Sequence, residues 1–413
     1  RTERLLQSLR PDVLGVSAHS SEYAAAIALA RRAAEVSPGT VRVLGGAHVS
    51  AAPESVARGD SAYTYGIVGE GERPLVDLLA CLDRGLPPVD VPGVVSIGAP
   101  AGAAIARWRP DDLDALAPPA WDLASPRRYR GAPQGLVFRR WPVAPILTSR
   151  GCPYHCAFCS GAQVMGHRHR TRSAAGIAAE VRELVNEHGV RELHVVDDSF
   201  TSDRAHARAV CEALAPFGLP VSFPNGLRLD TLDDETLGWL KAAGTYSLNL
   251  GIESGSQAVL DRFRKGLRLA DVRDAVARIH AVGIEVGAFF ILGLPGESRD
   301  DLRRTIRFAR EIPFDRAHFS NFLPLPGTEA TLALSPAATA GLTPEALSYF
   351  ETPYAPEGLS KPELKRLQRE AYLRFYLRPR ALVGVLRLLR SPTHARFLAA
   401  RAFSYLGVRG RHA

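Results

Sequence analysis

Three cysteines fall within eight residues, Cys152-Pro-Tyr-His-Cys156-Ala-Phe-Cys159, with the spacing C-x3-C-x2-C. Thiolates are soft ligands that select iron–sulfur clusters, zinc or copper. Three of them on one short loop can each hold one iron of a cubane and leave the fourth iron open. Open coordination is what a catalytic metal site needs and a closed structural site avoids. Phe158, next to the last cysteine, would set an aromatic ring against the site. A Cys3His zinc site drawing on His155, His167 or His169 is the bland alternative, although zinc sites favour paired ligands. Three free thiols without a metal is the other. Cys81 and Cys211 sit among apolar residues of expected helices and read as small core side chains. Five cysteines, three of them clustered, do not make a secreted disulfide framework and fit a reducing, cytoplasmic setting.

The elements that must position this loop alternate between strand and helix. Strand signals occur at Ala144–Thr148, Glu192–Asp197, Val221–Pro224, Tyr246–Gly251, Glu285–Leu292 and Arg316–Phe322. Helical patterns occupy Ala174–His188, Arg204–Leu214, Asp233–Ala243, Leu269–Val282 and Ser298–Glu311, with a short one near Gln257–Phe263. Six βα units over residues 144–330 suit a partial barrel of parallel strands, with its chemistry at the carboxyl ends. Cys152, Asp198, Arg228, Glu253 and Gly293 all follow strand ends.

A shorter alternation fills residues 1–85. Val13–Ser17 and Val41–Leu44 read as strands, the second ending in Gly45-Gly46. A third ends at Val68 before Gly69-Glu70-Gly71-Glu72, and Ser21–Val36 and Pro74–Leu82 read as helices. That rhythm implies a doubly wound parallel sheet, which binds ligands at its carboxyl edge. Residues 86–143 read as a Pro-rich linker, and residues 331–413 as a helical appendix with amphipathic helices at Pro362–Leu377 and Ala381–Leu389. The fold class is therefore α/β: a doubly wound N-terminal domain, a (β/α)6 partial barrel and a helical C-terminal region.

Composition narrows the function. The chain has 413 residues, 46% of them apolar, and a net charge of +8. Nine arginines and no acidic residue lie beyond residue 370, leaving 42 basic and 43 acidic side chains before it. The body is thus neutral, which argues against a nucleic-acid-binding surface. No apolar run is long enough to span a bilayer. The Arg-rich tail, interleaved with leucines, fits either a peripheral membrane contact or a helix packed on the barrel. The chain starts at Arg1 without a Met, which reads as a fragment or a processed form.

The cysteine spacing after the first barrel strand resembles the radical S-adenosylmethionine (SAM) enzymes. The resemblance implies that Cys152, Cys156 and Cys159 hold a 4Fe–4S cluster. SAM then chelates the open iron and is cleaved to a 5′-deoxyadenosyl radical. It also implies SAM contacts from Phe158, from Asp198 in Val196-Asp-Asp-Ser-Phe200, and from Arg228 in Leu227-Arg-Leu-Asp230. Glu253 and Ser254 in Gly251-Ile-Glu-Ser-Gly-Ser256, and Gly293 in Phe289-Phe-Ile-Leu-Gly-Leu-Pro-Gly-Glu297, complete the set. The Asp-Asp-Ser-Phe version is similar to the cobalamin-binding subgroup.

In that context Ser17-Ala-His19, Leu44-Gly45-Gly46-Ala-His48 and Gly69-Glu70 resemble a cobalamin-binding domain, with Ser17, Gly45, Gly46, Gly69 and Glu70 as its contacts. The fold's usual first βα unit, with its Asp-x-His-x-x-Gly loop, is absent from this chain. That implies cobalamin held without a histidine on cobalt. The family includes methyltransferases and the anaerobic magnesium-protoporphyrin monomethyl ester cyclase group. It implies a small-molecule substrate, lipophilic if the tail meets a membrane, and an external one-electron donor such as flavodoxin or ferredoxin. C-methylation of an unreactive carbon is the leading expectation. Oxidative cyclisation or ring rearrangement is the alternative, and a cluster-carrying or zinc-stabilised binding module the non-enzymatic one.

Overall fold

The computed structural model describes residues 2–100, 105–129, 138–340, 342, 347, 352–379 and 381. The expected helix continuing from Ala381 to Leu389, and the Arg-rich end of the chain, lie outside them. Two compact units form. The first comprises residues 1–111, 154–167 and 323–354, and the second residues 112–153, 168–322 and 355–413. The Pro-rich stretch is therefore divided at Asp111 rather than standing as a separate linker. The cysteine loop is divided too: Cys152 belongs to the second unit, Cys156 and Cys159 to the first.

In the first unit β1 (Val13–Ser17), β2 (Val41–Gly45) and β3 (Tyr65–Ile67) run parallel, and β4 (Val94–Ser96) adds antiparallel to β3. The Pro-rich stretch thus supplies a strand that its composition does not announce. The Tyr23–Val36 helix buries Tyr23, Ala26, Ala30 and Ala33, a narrow stripe of mostly small side chains that lets it lie close to its neighbours. Leu44, Val49, Val56 and Val68 complete that core.

The second unit holds a six-stranded parallel sheet in the order β5 (Val143–Ile146), β8 (Glu192–Val195), β9 (Val221–Leu227), β10 (Thr245–Glu253), β11 (Glu285–Leu292) and β12 (Arg316–Asn321). A two-residue ribbon, β6 (Ser149–Arg150) with β7 (Arg170–Thr171), flanks the cysteine loop. Four of the helices between the strands start where a capping side chain accepts an orphan amide. Ser173 takes that of Gly176, Asp203 that of His206, Asp233 that of Thr236 and Ser298 that of Asp301. The expected strands are all present, with ends shifted by a few residues, and β9 and β10 run on to Leu227 and Glu253.

Consecutive strands are neighbours, and β5 and β12 stand at opposite edges, so the sheet is an open arc. At the amino end of the strands the fully buried Glu192 carboxylate accepts the amides of Arg139 and Arg140 and the hydroxyl of Tyr246. That polar knot fixes the chain where it enters β5.

The β12 edge would leave alternate backbone groups unpaired, which a parallel sheet cannot leave in a core. The Lys361–Tyr376 helix supplies the partners from one face. Gln368 donates to the Phe319 carbonyl at 2.7 Å, and Tyr372 Oη accepts the Phe319 amide at 3.1 Å. Tyr376 Oη accepts the Ala317 amide and donates to the Ala317 carbonyl. Positions 368, 372 and 376 recur every helical turn, so one amphipathic helix seals a strand two residues per turn. Replacing Tyr372 and Tyr376 together by Phe should lower stability by about 2–4 kcal/mol, since buried backbone groups lose their partners. A denaturant midpoint unchanged from wild type would show that the edge is satisfied otherwise.

Candidate functional site

The carboxyl ends of the second unit's strands gather polar side chains. The Val196–Phe200 segment follows β8. Asp197 is 3% exposed, Asp198 is exposed, and Phe200 packs on Phe223 in the core at 4.9 Å between ring centroids. Asp197 accepts the Thr148 amide at 2.7 Å and the hydroxyls of Thr148 and Ser149 at 2.5 Å each. Burial pushes its carboxyl up to about 6 against the pull of these donors. Thr148 and Ser149 lead directly to Cys152, so Asp197 anchors the start of the cysteine loop. Sequence reading singled out Asp198 of this pair and gave Asp197 no role. Asp198 stands at the strand end on the exposed side, where a ligand's ammonium group could reach it.

The β10 end is strained. Glu253 takes φ +70°, costly for a residue with a Cβ, after a bulge between Gly251 and Glu253. Its carboxylate meets Lys265 Nζ at 2.9 Å, both side chains nearly buried. A Cβ on Gly251 would fall 2.7 Å from that carboxylate and 2.8 Å from the ammonium group, so Gly251 makes room for the pair. Lys265 carried no signal in the sequence, because it lies on a loop twelve residues away.

Two of the expected SAM contacts are engaged within the chain. Arg228 clamps the carboxylate of Asp230, at 2.9 and 2.8 Å, and donates to the carbonyls of Lys265 and Gly266. The carboxylate it holds is the chain's own, because Asp230 is two residues away in a tight turn. Ser254 is fully buried, and its hydroxyl is engaged by Thr305 at 3.2 Å and by the Ser256 amide. Gly255 packs so closely on the Arg299–Glu311 helix that a Cβ would lie 2.6 Å from Thr305 Cα. That contact turns Ser254 into the barrel packing.

After β11, Gly293 takes φ +82°, and a Cβ there would lie 2.4 Å from Leu364. Glu297 closes this turn, its Oε2 accepting the amides of Gly293 and Leu294 at 2.7 and 3.0 Å. Its Oε1 is buried without a hydrogen-bond partner. Burial pushes the carboxyl up to about 8.

In the first unit Ser17 and Gly45 are register partners at the carboxyl edge of the sheet. A Cβ on Gly46 (φ +94°) would sit 2.7 Å from Ser17 Oγ and 2.9 Å from the Ala18 backbone, whereas Gly45 meets nothing within 3.9 Å. Gly69 has φ +84°, and Glu70 is buried. Ser50, fully buried, ties these turns: its hydroxyl donates to the Gly46 carbonyl at 2.8 Å and accepts the Gly69 amide at 2.9 Å. Side-chain-free backbone at a parallel sheet's carboxyl edge fits a flat or extended cofactor approaching closely. His48 is 5% exposed, stacked on Tyr23 at 3.8 Å and pushed down to about 4 by burial, so it is a neutral core residue. His19 is exposed and opens a helical turn through Glu22.

All five cysteines are free. Cys159 is exposed, Cys156 and Phe158 half-buried, and the Gly161 amide points at Cys159 Sγ from 3.4 Å. An amide aimed at sulfur favours the thiolate and suits an iron–sulfur ligand. His155 and His167 stack on each other at 4.0 Å between centroids. Cys211 is buried, its thiol pushed up to about 12 by burial, as a core side chain should be. Cys81 is only half-buried.

Residues 146–309 match the radical SAM superfamily model, and residues 1–79 match the B12 binding domain model. The chain is a radical SAM enzyme with a B12-binding domain. It is similar to an uncharacterized methyltransferase of Pyrococcus horikoshii, 27% identical over 92% of this chain and 82% of that one. It is 29% identical to the anaerobic magnesium-protoporphyrin IX monomethyl ester cyclase of Cereibacter sphaeroides, over 90% of this chain and 61% of that one. The fold is shared with the radical SAM methyltransferase TsrM of Kitasatospora setae, whose structure holds cobalamin and a 4Fe–4S cluster. The TM-score is 0.72 at 16% identity, covering 98% of this chain and 90% of that one. The enzyme's cofactors are accordingly the cluster, SAM and cobalamin.

Two substitutions test the geometry. Asp197→Ala should cost at least about 2–3 kcal/mol, because it strands buried donors on Thr148 and Ser149. Wild-type stability of this variant in denaturant titration would remove Asp197 as the loop's anchor. Glu297 binds its proton more tightly folded than unfolded, so its contribution is present at low pH and lost as pH rises from about 4.5 through about 8. Glu297→Gln keeps an acceptor for both amides and carries no charge. Unfolding measured across pH 5–8 should therefore show the wild type losing stability relative to the variant as pH rises; parallel profiles would refute this.

Proposed function

We propose that this enzyme transfers a methyl group to an unreactive carbon of a small molecule. The observation that carries the reading is one chain holding both an open three-cysteine set and a glycine-lined sheet edge in a B12-binding domain. The similarity to a methyltransferase over most of both chains supports it. When bound, the cluster and SAM supply a hydrogen-abstracting radical, and cobalamin supplies the methyl group.

The chain's own residues bind and orient. Cys152, Cys156 and Cys159 would hold three irons of the cluster, with Phe158 next to Cys159 in the chain. Asp198 would accept a hydrogen bond from the SAM ammonium group, and Glu253, held by Lys265, would present an oxygen at the end of β10. The Gly293 turn would present backbone to the adenine. Ser17, Gly45, Gly46, Gly69 and Glu70 line the cobalamin site mainly with backbone, giving shape rather than ligation. His48 is held in the core by Tyr23 and Ser20, which favours cobalt without a protein imidazole. The cluster would take its electron from an external one-electron donor of the flavodoxin or ferredoxin type. Free thiols throughout favour a reducing compartment. Among the described residues no helix is long and apolar enough to cross a membrane.

The cyclase similarity favours oxidative cyclisation as the second reading. Product mass separates them: methylation adds one CH2, whereas cyclisation removes hydrogen. Anaerobically reconstituted, reduced protein should cleave SAM to 5′-deoxyadenosine and take up cobalamin. Replacing all three clustered cysteines by Ala should abolish iron–sulfur absorbance and SAM cleavage, with Cys81→Ala and Cys211→Ala as unaffected controls. Full iron and sulfide content in the triple variant would overturn the site assignment.

A further inference from the structure

Within the first unit a continuous set of bonds runs from the B12-binding glycine turns to the segment carrying Cys156 and Cys159. Ser50 joins the Gly46 and Gly69 turns through its hydroxyl. The Ser50 carbonyl accepts Arg107 Nη2 at 2.8 Å. The same guanidinium, through Nη1, bonds the Gln163 carbonyl. Gln163 lies in the short Gly161–Met165 helix, whose first amide points at Cys159 Sγ. A Cβ on Gly69 would lie 3.6 Å from Arg107 Cβ and 3.8 Å from the Val164 carbonyl, so the glycine turn and this helix are near neighbours. Arg109 packs at the other end of the helix: a Cβ on Gly166 would lie 3.0 Å from its Nε. No family motif marks Arg107, which sits in the Pro-rich stretch.

We propose that Arg107 is a positioning residue whose guanidinium, spanning the Ser50 and Gln163 carbonyls, sets the spacing between bound cobalamin and the cluster. The inference rests on the methyl-transfer reading. A carbon radical must meet the methyl donor in near-attack geometry, and a misplacement of about 1 Å can cost roughly a hundredfold in rate. Arginine suits the task because its rigid fork presents separate donors to two acceptors at once, whereas a lysine ammonium is a single point on a flexible stem. Half-burial between two carbonyls reduces competition from water for those bonds.

The test uses holoenzyme with the cluster reduced and cobalamin in its cob(II) form, both paramagnetic. Electron paramagnetic resonance reads their dipolar coupling, and a parallel assay reads methylated product per 5′-deoxyadenosine. Arg107→Ala and Arg107→Lys should retain iron, sulfide and cobalamin and still cleave SAM. Their dipolar coupling should shift or broaden, and the product ratio should fall roughly tenfold or more. Lysine, able to hold one carbonyl, should fall between alanine and wild type. Unchanged coupling and product ratio in both variants would overturn the proposal while leaving methyl transfer intact. An Arg107→Lys variant that loses cofactors and cleavage in proportion to product would also overturn it, since that marks general structural support. Wild-type protein that takes up no cobalamin would instead overturn the methyl-transfer reading on which the proposal stands.

Discussion

A buried carboxylate at the end of β8 is the constraint on which the second unit's functional face depends. Asp197 is almost fully enclosed and still surrounded by three donors from Thr148 and Ser149. Burying a carboxylate without such donors would cost several kcal/mol, so the donors and the acid must stay together. The donors are the residues that lead β5 into the cysteine loop. Holding them fixes the loop's origin relative to β8, and with it the place of Cys152. The same burial leaves the next residue, Asp198, on the other side of the chain. One strand end therefore yields a structural acid and an accessible one from adjacent positions.

The rest of the site follows a related rule: polar groups that look free in sequence are often committed to other groups of the same chain. Arg228 closes its own turn on Asp230, and Ser254 is drawn into the packing of the Arg299–Glu311 helix. Glu253 is held by Lys265 in a left-handed backbone conformation. Glu297 caps the turn that Gly293 opens. Glycines matter here where a neighbour comes too close for a Cβ, as at Gly251, Gly255 and Gly293. In the first unit the equivalent devices are Gly46 and the Ser50 hydroxyl, which bind two turns into one surface.

Some of this was legible in the residues alone. The period of apolar residues located every strand of the barrel, because a strand buried on both faces leaves a short continuous apolar run. The C-x3-C-x2-C spacing pointed to metal chemistry, since ligands on one short loop can meet one group whatever the rest of the chain does. The expected helix starts at Ala174, Arg204 and Ser298 fall within a residue of the observed ones, where Ser173, Asp203 and Ser298 cap, because capping is a local interaction.

Tertiary structure alone decided the rest. It placed β4 from a Pro-rich stretch beside β3, because strand pairing depends on a neighbour distant in sequence. It turned Asp197 inward and Asp198 outward, a choice between two identical side chains made by donors nearly fifty residues earlier. It brought Lys265 to Glu253, and Arg107 to Ser50 and Gln163. Each is a long-range polar contact, and long side chains on loops carry no periodicity that could announce where they reach. The sequence by itself determined which chemistry the chain can support. Only folding decided which of its polar groups remain to perform that chemistry and which are used to hold the others in place.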